Sequence, residues 1–192
     1  ERPHSNNSMS DEIIKKCVKF FTSHSRYSEH KSISFYGGEP LIEFNKIKSI
    51  VEYVSQKFKN QYSFSMTTNG ILLEEEIVKF LAKHSFRLLI SLDGPQHIHD
   101  KYRISANGTP TFEKVMKNLE KIRKLAPELV SEIGFSIVIA PGNSLKEIDE
   151  FFENFEFLKS SVLRVSIVNL FDTNFFKIYG NYTQDYYKEI EE

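Results

Sequence analysis

Two adjacent glycines, Gly37 and Gly38, end a short run in which polar and apolar residues alternate, Ser32-Ile33-Ser34-Phe35, and Glu39 and Pro40 follow at once. Such alternation reads as a strand that the glycines break. Glycine lacks a Cβ, so a pair of them at the C-terminal end of a strand lets backbone N–H and C=O groups touch a ligand directly. The chemistry implied is binding and orientation. No nucleophile stands beside a base and no phosphate-binding lysine motif is present, so hydrolase and transferase readings gain no support. His97 and His99 lie two apart without a third ligand at a recognisable spacing, which favours loop or capping roles over a metal site.

The elements around these residues alternate. Ser10-Asp11-Glu12 starts a helix whose stripe is Ile13, Ile14, Cys17, Val18, Phe20 and Phe21, and which predicts Cys17 as a small core residue. Ile47, Ile50, Val51, Val54 and Phe58 predict a second helix, Tyr62 to Met66 a strand, and Ile77, Val78, Phe80 and Leu81 a third helix. Phe86 to Leu92 is nearly continuous apolar sequence, the pattern of a strand buried on both faces of a parallel sheet. Gln96 to Pro110 reads as a polar segment, followed by a helix capped near Thr111 that buries Val115, Met116, Leu119 and Ile122. Ile133 to Ala140 and Val162 to Leu170 complete the strands, with a helix from Ser144 and a Phe-rich core stripe at 151–157 between them.

Strands alternating with helices predict an α/β fold with parallel strands and right-handed crossovers, closing wholly or partly into a barrel. The polar punctuation recurs at one kind of place. Gly37-Gly38-Glu39, Thr67-Thr68-Asn69-Gly70, Ser91-Leu92-Asp93-Gly94, Pro141-Gly142-Asn143 and Asn169 to Asp172 all follow strands, and in an α/β barrel those ends share one mouth.

Composition narrows the partners. With 192 residues, 40% of them hydrophobic, and 17 Phe, the chain is long and apolar enough for one domain with a proper core. A formal net charge of -1 gives no electrostatic case for nucleic acid or an acidic membrane. No apolar run reaches the roughly 18 residues of a membrane span and no secretion signal is legible, so the expected compartment is the cytoplasm. The single cysteine excludes an internal disulfide and any metal site built from several thiolates of these residues.

Taken together, Phe35-Tyr36-Gly37-Gly38-Glu39-Pro40-Leu41, Thr67-Thr68-Asn69-Gly70, and Ser91-Leu92-Asp93-Gly94-Pro95 with His99-Asp100 and Arg103 resemble the core of radical S-adenosylmethionine enzymes. The likeness is to the branch that modifies peptides and proteins, with anaerobic sulfatase maturases and maturases of ribosomally made peptides. It runs from about Met9 to about Leu170, and Glu1 to Asn6 also resemble the segment after the cluster loop in thioether-forming maturases. The resemblance implies a partial (β/α)6 TIM-like barrel over residues 1–172 and a tail, 173–192, leading towards a further domain. It also implies a Cys-x3-Cys-x2-Cys loop holding a [4Fe–4S] cluster. Neither that loop nor the strand before it is among these residues, and truncation is the expected reason.

By the same resemblance Gly37, Gly38 and Glu39 would meet the amino group of the cofactor's methionine moiety, and Ser91 with Arg103 its carboxylate. A guanidinium and a hydroxyl offer charge-assisted hydrogen bonds to such an anion. Arg103 would otherwise be a surface residue paired with Asp100. Asp93, Thr68 and Asn69 are candidates for cofactor contact, yet Asp-Gly-Pro and Asn-Gly equally suit turns. The function implied is reductive cleavage of S-adenosylmethionine to a 5′-deoxyadenosyl radical acting on a peptide or protein, with an external electron donor. The alternative is a cluster-free S-adenosylmethionine-binding or peptide-docking scaffold.

Overall fold

The structure is a computed structural model and describes residues 8–59, 61–140, 142–155 and 161–167. The expected loop from Asn169 to Asp172, Pro141 and the tail from 173 lie outside the described residues. Five parallel strands, β1 (Ser32–Phe35), β2 (Ser63–Thr68), β3 (Arg87–Ser91), β4 (Ile133–Ile139) and β5 (Val162–Ile167), form one sheet in the order β1-β2-β3-β4-β5. The helices are α1 (Asp11–His24), α2 (Phe44–Phe58), α3 (Glu75–Lys83), α4 (Gln96–Tyr102), α5 (Phe112–Leu125), α6 (Pro127–Val130) and α7 (Leu145–Asn154). When each strand pairs with the next in sequence, right-handed crossovers put every helix on the same side. The result is a sector of an α/β barrel, as expected from the sequence.

Side chains sort by face accordingly. Phe64, Met66, Leu88, Ile90, Phe135 and Ile137 are buried towards the helices, where Val51, Val54, Val78, Leu81, Leu119 and Ile122 join them. The opposite, concave face carries Ser63, Ser65, Thr67, Leu89, Ser91 and Ser136, all half-buried. β3 is therefore not buried on both faces, as its apolar run suggests. Leu89 and Ser91 look into the barrel interior, and the apolar residues that lengthen the run, Phe86 and Leu92, lie just beyond the strand.

Two expectations fail. α1 begins as predicted, with Ser10 Oγ accepting the Ile13 N–H at 3.4 Å, but it buries no residue completely and Cys17 is exposed. The helix flanks β1, an edge strand of the described sheet, and a cavity of about 750 Å³ separates them, lined in part by Ile14, Cys17, Val18, Ile33 and Gly38. The segment after Pro95 is not simply a polar loop, because α4 occupies Gln96–Tyr102. Its buried residues are Ile98 and a histidine, His99, so apolar periodicity does not reveal it. The short helix α6 was likewise not expected, and its buried residue is Leu129 alone.

Candidate functional site

Pairing of Phe35 with Met66, Thr68 with Ile90 and Ser91 with Ser136 aligns the strands, so the loops after β1, β2, β3 and β4 leave from one end. The first contributes Gly37-Gly38-Glu39. Among the described residues a Cβ added at either glycine would meet nothing within 4 Å, so their packing does not require glycine there. Glu39 ties this loop to the next. Its Oε1 accepts from Leu41 N–H at 3.1 Å and from Thr68 Oγ1 at 2.8 Å, and its Oε2 accepts the Asn69 N–H at 2.7 Å.

The loop after β2 is also fixed from within. Thr68 Oγ1 accepts the Gly70 N–H at 3.1 Å, and Asn69 Oδ1 accepts the Ile71 N–H at 2.9 Å, an Asx turn. Gly70 has φ +76°, and a Cβ there would stand 3.1 Å from Ile90 Cγ2. From α5, buried Asn118 donates to the carbonyls of Gly70 and Ile71 at 2.8 and 2.9 Å, and its own Oδ1 accepts from Lys121. Thr68 and the Asn69 side-chain carbonyl therefore serve the turn, while the Asn69 side-chain nitrogen Nδ2 makes no hydrogen bond among the described residues.

The loop after β3 holds an ion pair. Asp93, 3% exposed, receives Arg103 Nε on Oδ2 at 2.5 Å and Arg103 Nη2 on Oδ1 at 2.9 Å. Oδ1 also accepts the Val138 N–H at 2.8 Å, adding a side-chain rung to the ladder beyond Ser91. This corrects the alternative partner for Arg103, since Asp100 faces elsewhere. Asp100 Oδ1 accepts the N–H groups of Thr111 and Phe112 and so caps α5, where the Thr111 hydroxyl makes no cap bond. The outer edge of the guanidinium, with Nη1, has no hydrogen-bond partner among the described residues, nor has the Ser91 hydroxyl.

Beneath this pair lies His99, 1% exposed. Burial is the largest influence on it and holds its pKa down to about 4, with Asp93 opposing and Arg103 adding to the shift. Its Nδ1 accepts the Asp93 N–H at 3.3 Å and its Nε2 meets Thr111 Oγ1 at 3.0 Å. His97 instead turns outward to Glu147 at 2.9 Å, so the two histidines share no site. No group of three or more His, Cys, Asp or Glu side chains among the described residues is arranged for a metal ion.

Residues 4–155 match the Radical SAM superfamily. The chain belongs to that superfamily. Over 153 residues this radical SAM chain is 29% identical to a cysteine-type anaerobic sulfatase-maturating enzyme of Clostridium perfringens, covering 77% of this chain and 39% of that enzyme. It is similar to the structure of native anSMEcpe with bound AdoMet and Kp18Cys peptide, with a TM-score of 0.70 and 26% identity over 88% of this chain and 46% of the other. Streptococcus suis SuiB bound to S-adenosylmethionine shares the fold at 17% identity, with a TM-score of 0.68 over 98% of this chain and 41% of that one. The radical SAM chain thus spans less than half the length of these relatives.

Sequence reasoning brought Gly37, Gly38, Glu39, Thr68, Asn69, Ser91, Asp93 and Arg103 to one end of the sheet, and all eight stand there. It missed the residues underneath. Asn118 carried a signal, a polar residue within the apolar stripe that runs from Val115 to Ile122, whereas the His99–Thr111 contact joins residues twelve apart and had none.

Proposed function

We propose that this chain binds and orients S-adenosylmethionine within a radical SAM enzyme whose intact form modifies a peptide or protein. The observation that carries this reading is the shared strand end, where open glycines, a hydroxyl unpaired among the described residues and the likewise unpaired edge of a half-buried arginine stand together. The bound AdoMet and Kp18Cys peptide of the similar structure support it.

The residues fit the cofactor's methionine end. The carbonyls of Gly37 and Gly38 would accept from its ammonium, with no Cβ in the way. Arg103 and Ser91 would take its carboxylate through charge-assisted hydrogen bonds, which a guanidinium fork provides in pairs. Glu39 and Asp93, with their oxygens already engaged, hold these loops in place, and Thr68 and Asn69 hold the turn between them. Bound and reduced by one electron, S-adenosylmethionine supplies the radical chemistry. The half-buried, hydroxyl-rich concave face would keep the substrate end of the site short of bulk water.

A [4Fe–4S] cluster does not fit these residues, because such clusters need several thiolates and the chain has one cysteine, exposed Cys17. In our proposal the intact enzyme supplies the cluster and meets its electron donor. We place that enzyme in the cytoplasm. Among the described residues no helix is long and apolar enough to cross a membrane, and the net charge of -1 recommends no nucleic acid partner.

The single cysteine also favours a second reading, a cluster-free S-adenosylmethionine-binding or peptide-docking scaffold. The test is anaerobic iron–sulfur reconstitution of the full-length protein, followed by S-adenosylmethionine and dithionite. Release of 5′-deoxyadenosine is the expected result. Binding without release would favour the scaffold, and absence of binding would overturn the enzyme reading and leave the scaffold only its peptide-docking form.

A further inference from the structure

We infer that His99 is a positioning residue that sets the aim of Arg103 at the mouth of the barrel, an inference resting on the proposal that Arg103 receives the cofactor's carboxylate. Its ring is placed to do one thing with each nitrogen. Because Nδ1 accepts the Asp93 N–H, it carries no proton, so the proton of the neutral ring is on Nε2 and is donated to Thr111 Oγ1. The hydroxyl hydrogen of Thr111 then goes to the Arg103 carbonyl at 2.8 Å.

The bonds form a closed circuit. Main chain at 93 is joined to main chain at 103 through His99 and Thr111, while the side chains of the same two residues are joined through the paired Arg103–Asp93 bonds. Arg103 N–H also donates to the His99 carbonyl at 2.9 Å, and Asp100 pins Thr111 by its backbone. An arginine on a flexible stem, with only its carboxylate partner to hold it, would swing about that partner. With both ends of the circuit fixed, Asp93 takes one edge of the guanidinium and the other edge stays presented to the ligand. His99 touches no ligand itself and acts through this geometry.

The experiment compares two ligands on the full-length protein by calorimetry. S-adenosylmethionine carries the carboxylate, whereas 5′-methylthioadenosine keeps the nucleoside and the sulfur, as a neutral thioether, and lacks the aminocarboxypropyl chain that bears it. His99→Phe is expected to weaken S-adenosylmethionine about tenfold, the scale of misaligned charge-assisted hydrogen bonds, and to leave 5′-methylthioadenosine unchanged. Thr111→Val, nearly identical in shape, should do the same by cutting the relay alone, and it serves if His99→Phe folds poorly. Equal weakening of both ligands, or no weakening by either variant, would overturn the inference. Arg103→Lys separates the two levels: if it too leaves S-adenosylmethionine binding intact, the carboxylate assignment falls and this inference with it. If only Arg103→Lys weakens it, His99 alone loses its role.

Discussion

Glu39 and Asn69 lie thirty residues apart, yet Glu39 Oε2 accepts the backbone N–H of Asn69 at 2.7 Å while its other oxygen serves Thr68 and Leu41. One carboxylate therefore fixes the spacing between the glycine loop after β1 and the turn after β2. Glu39→Gln replaces an acceptor with a donor aimed at an N–H or hydroxyl. The expected loss is about 1–3 kcal/mol of stability, the range for leaving a partly buried hydrogen-bonding group unsatisfied. Urea unfolding measures it, and S-adenosylmethionine affinity should fall in the same variant because the glycines lose their anchor.

The turn after β2 depends on a conformation and a clamp. Gly70→Ala forces a side chain into φ +76° with Ile90 Cγ2 only 3.1 Å from the new Cβ, and should destabilise by about 1–3 kcal/mol. Asn118→Leu keeps the volume but strips the donors from the Gly70 and Ile71 carbonyls, with a loss of similar size. Because both act on one turn, the double variant should lose less than the sum of the two, which a double-mutant cycle on unfolding free energies checks.

His99 should give the fold an acid-sensitive component. Its folded pKa is held to about 4 from an ordinary value of 6.5, mainly by burial, with Asp93, Asp100 and Arg103 as the charged groups acting on it. The unfolded chain therefore binds the extra proton first, so the contribution is complete above about pH 6.5 and is lost as pH falls towards 4, where it levels off. The full swing is roughly 3 kcal/mol. His99→Phe should flatten this part of the stability profile between pH 6.5 and 4, as followed by denaturant unfolding at stepped pH.

Much of this architecture is legible in the residues themselves. Alternation in Ser32–Phe35, the cap at Ser10 and the polar breaks after each strand are local signals, and they place β1, α1 and the mouth without any tertiary knowledge. What could not be read depends on neighbours distant in sequence. Cys17 has the spacing of a core residue, but whether its stripe is covered depends on what packs beside β1. Arg103 has two acidic candidates, and proximity in sequence favours Asp100, whereas the fold gives Asp100 to the start of α5 and leaves Asp93 for the arginine. A buried histidine among polar residues looks like loop, which hid both α4 and the circuit beneath the mouth.

If the strand ends of this chain hold S-adenosylmethionine against bare backbone at Gly38, a side chain placed there must obstruct it. Titration of S-adenosylmethionine into the full-length protein and its Gly38→Val variant is the test, since the added Cβ would meet nothing within 4 Å among the described residues. An unchanged unfolding midpoint is expected, with an affinity lower by at least about tenfold, or about 1.4 kcal/mol. Wild-type affinity in the folded variant would contradict it.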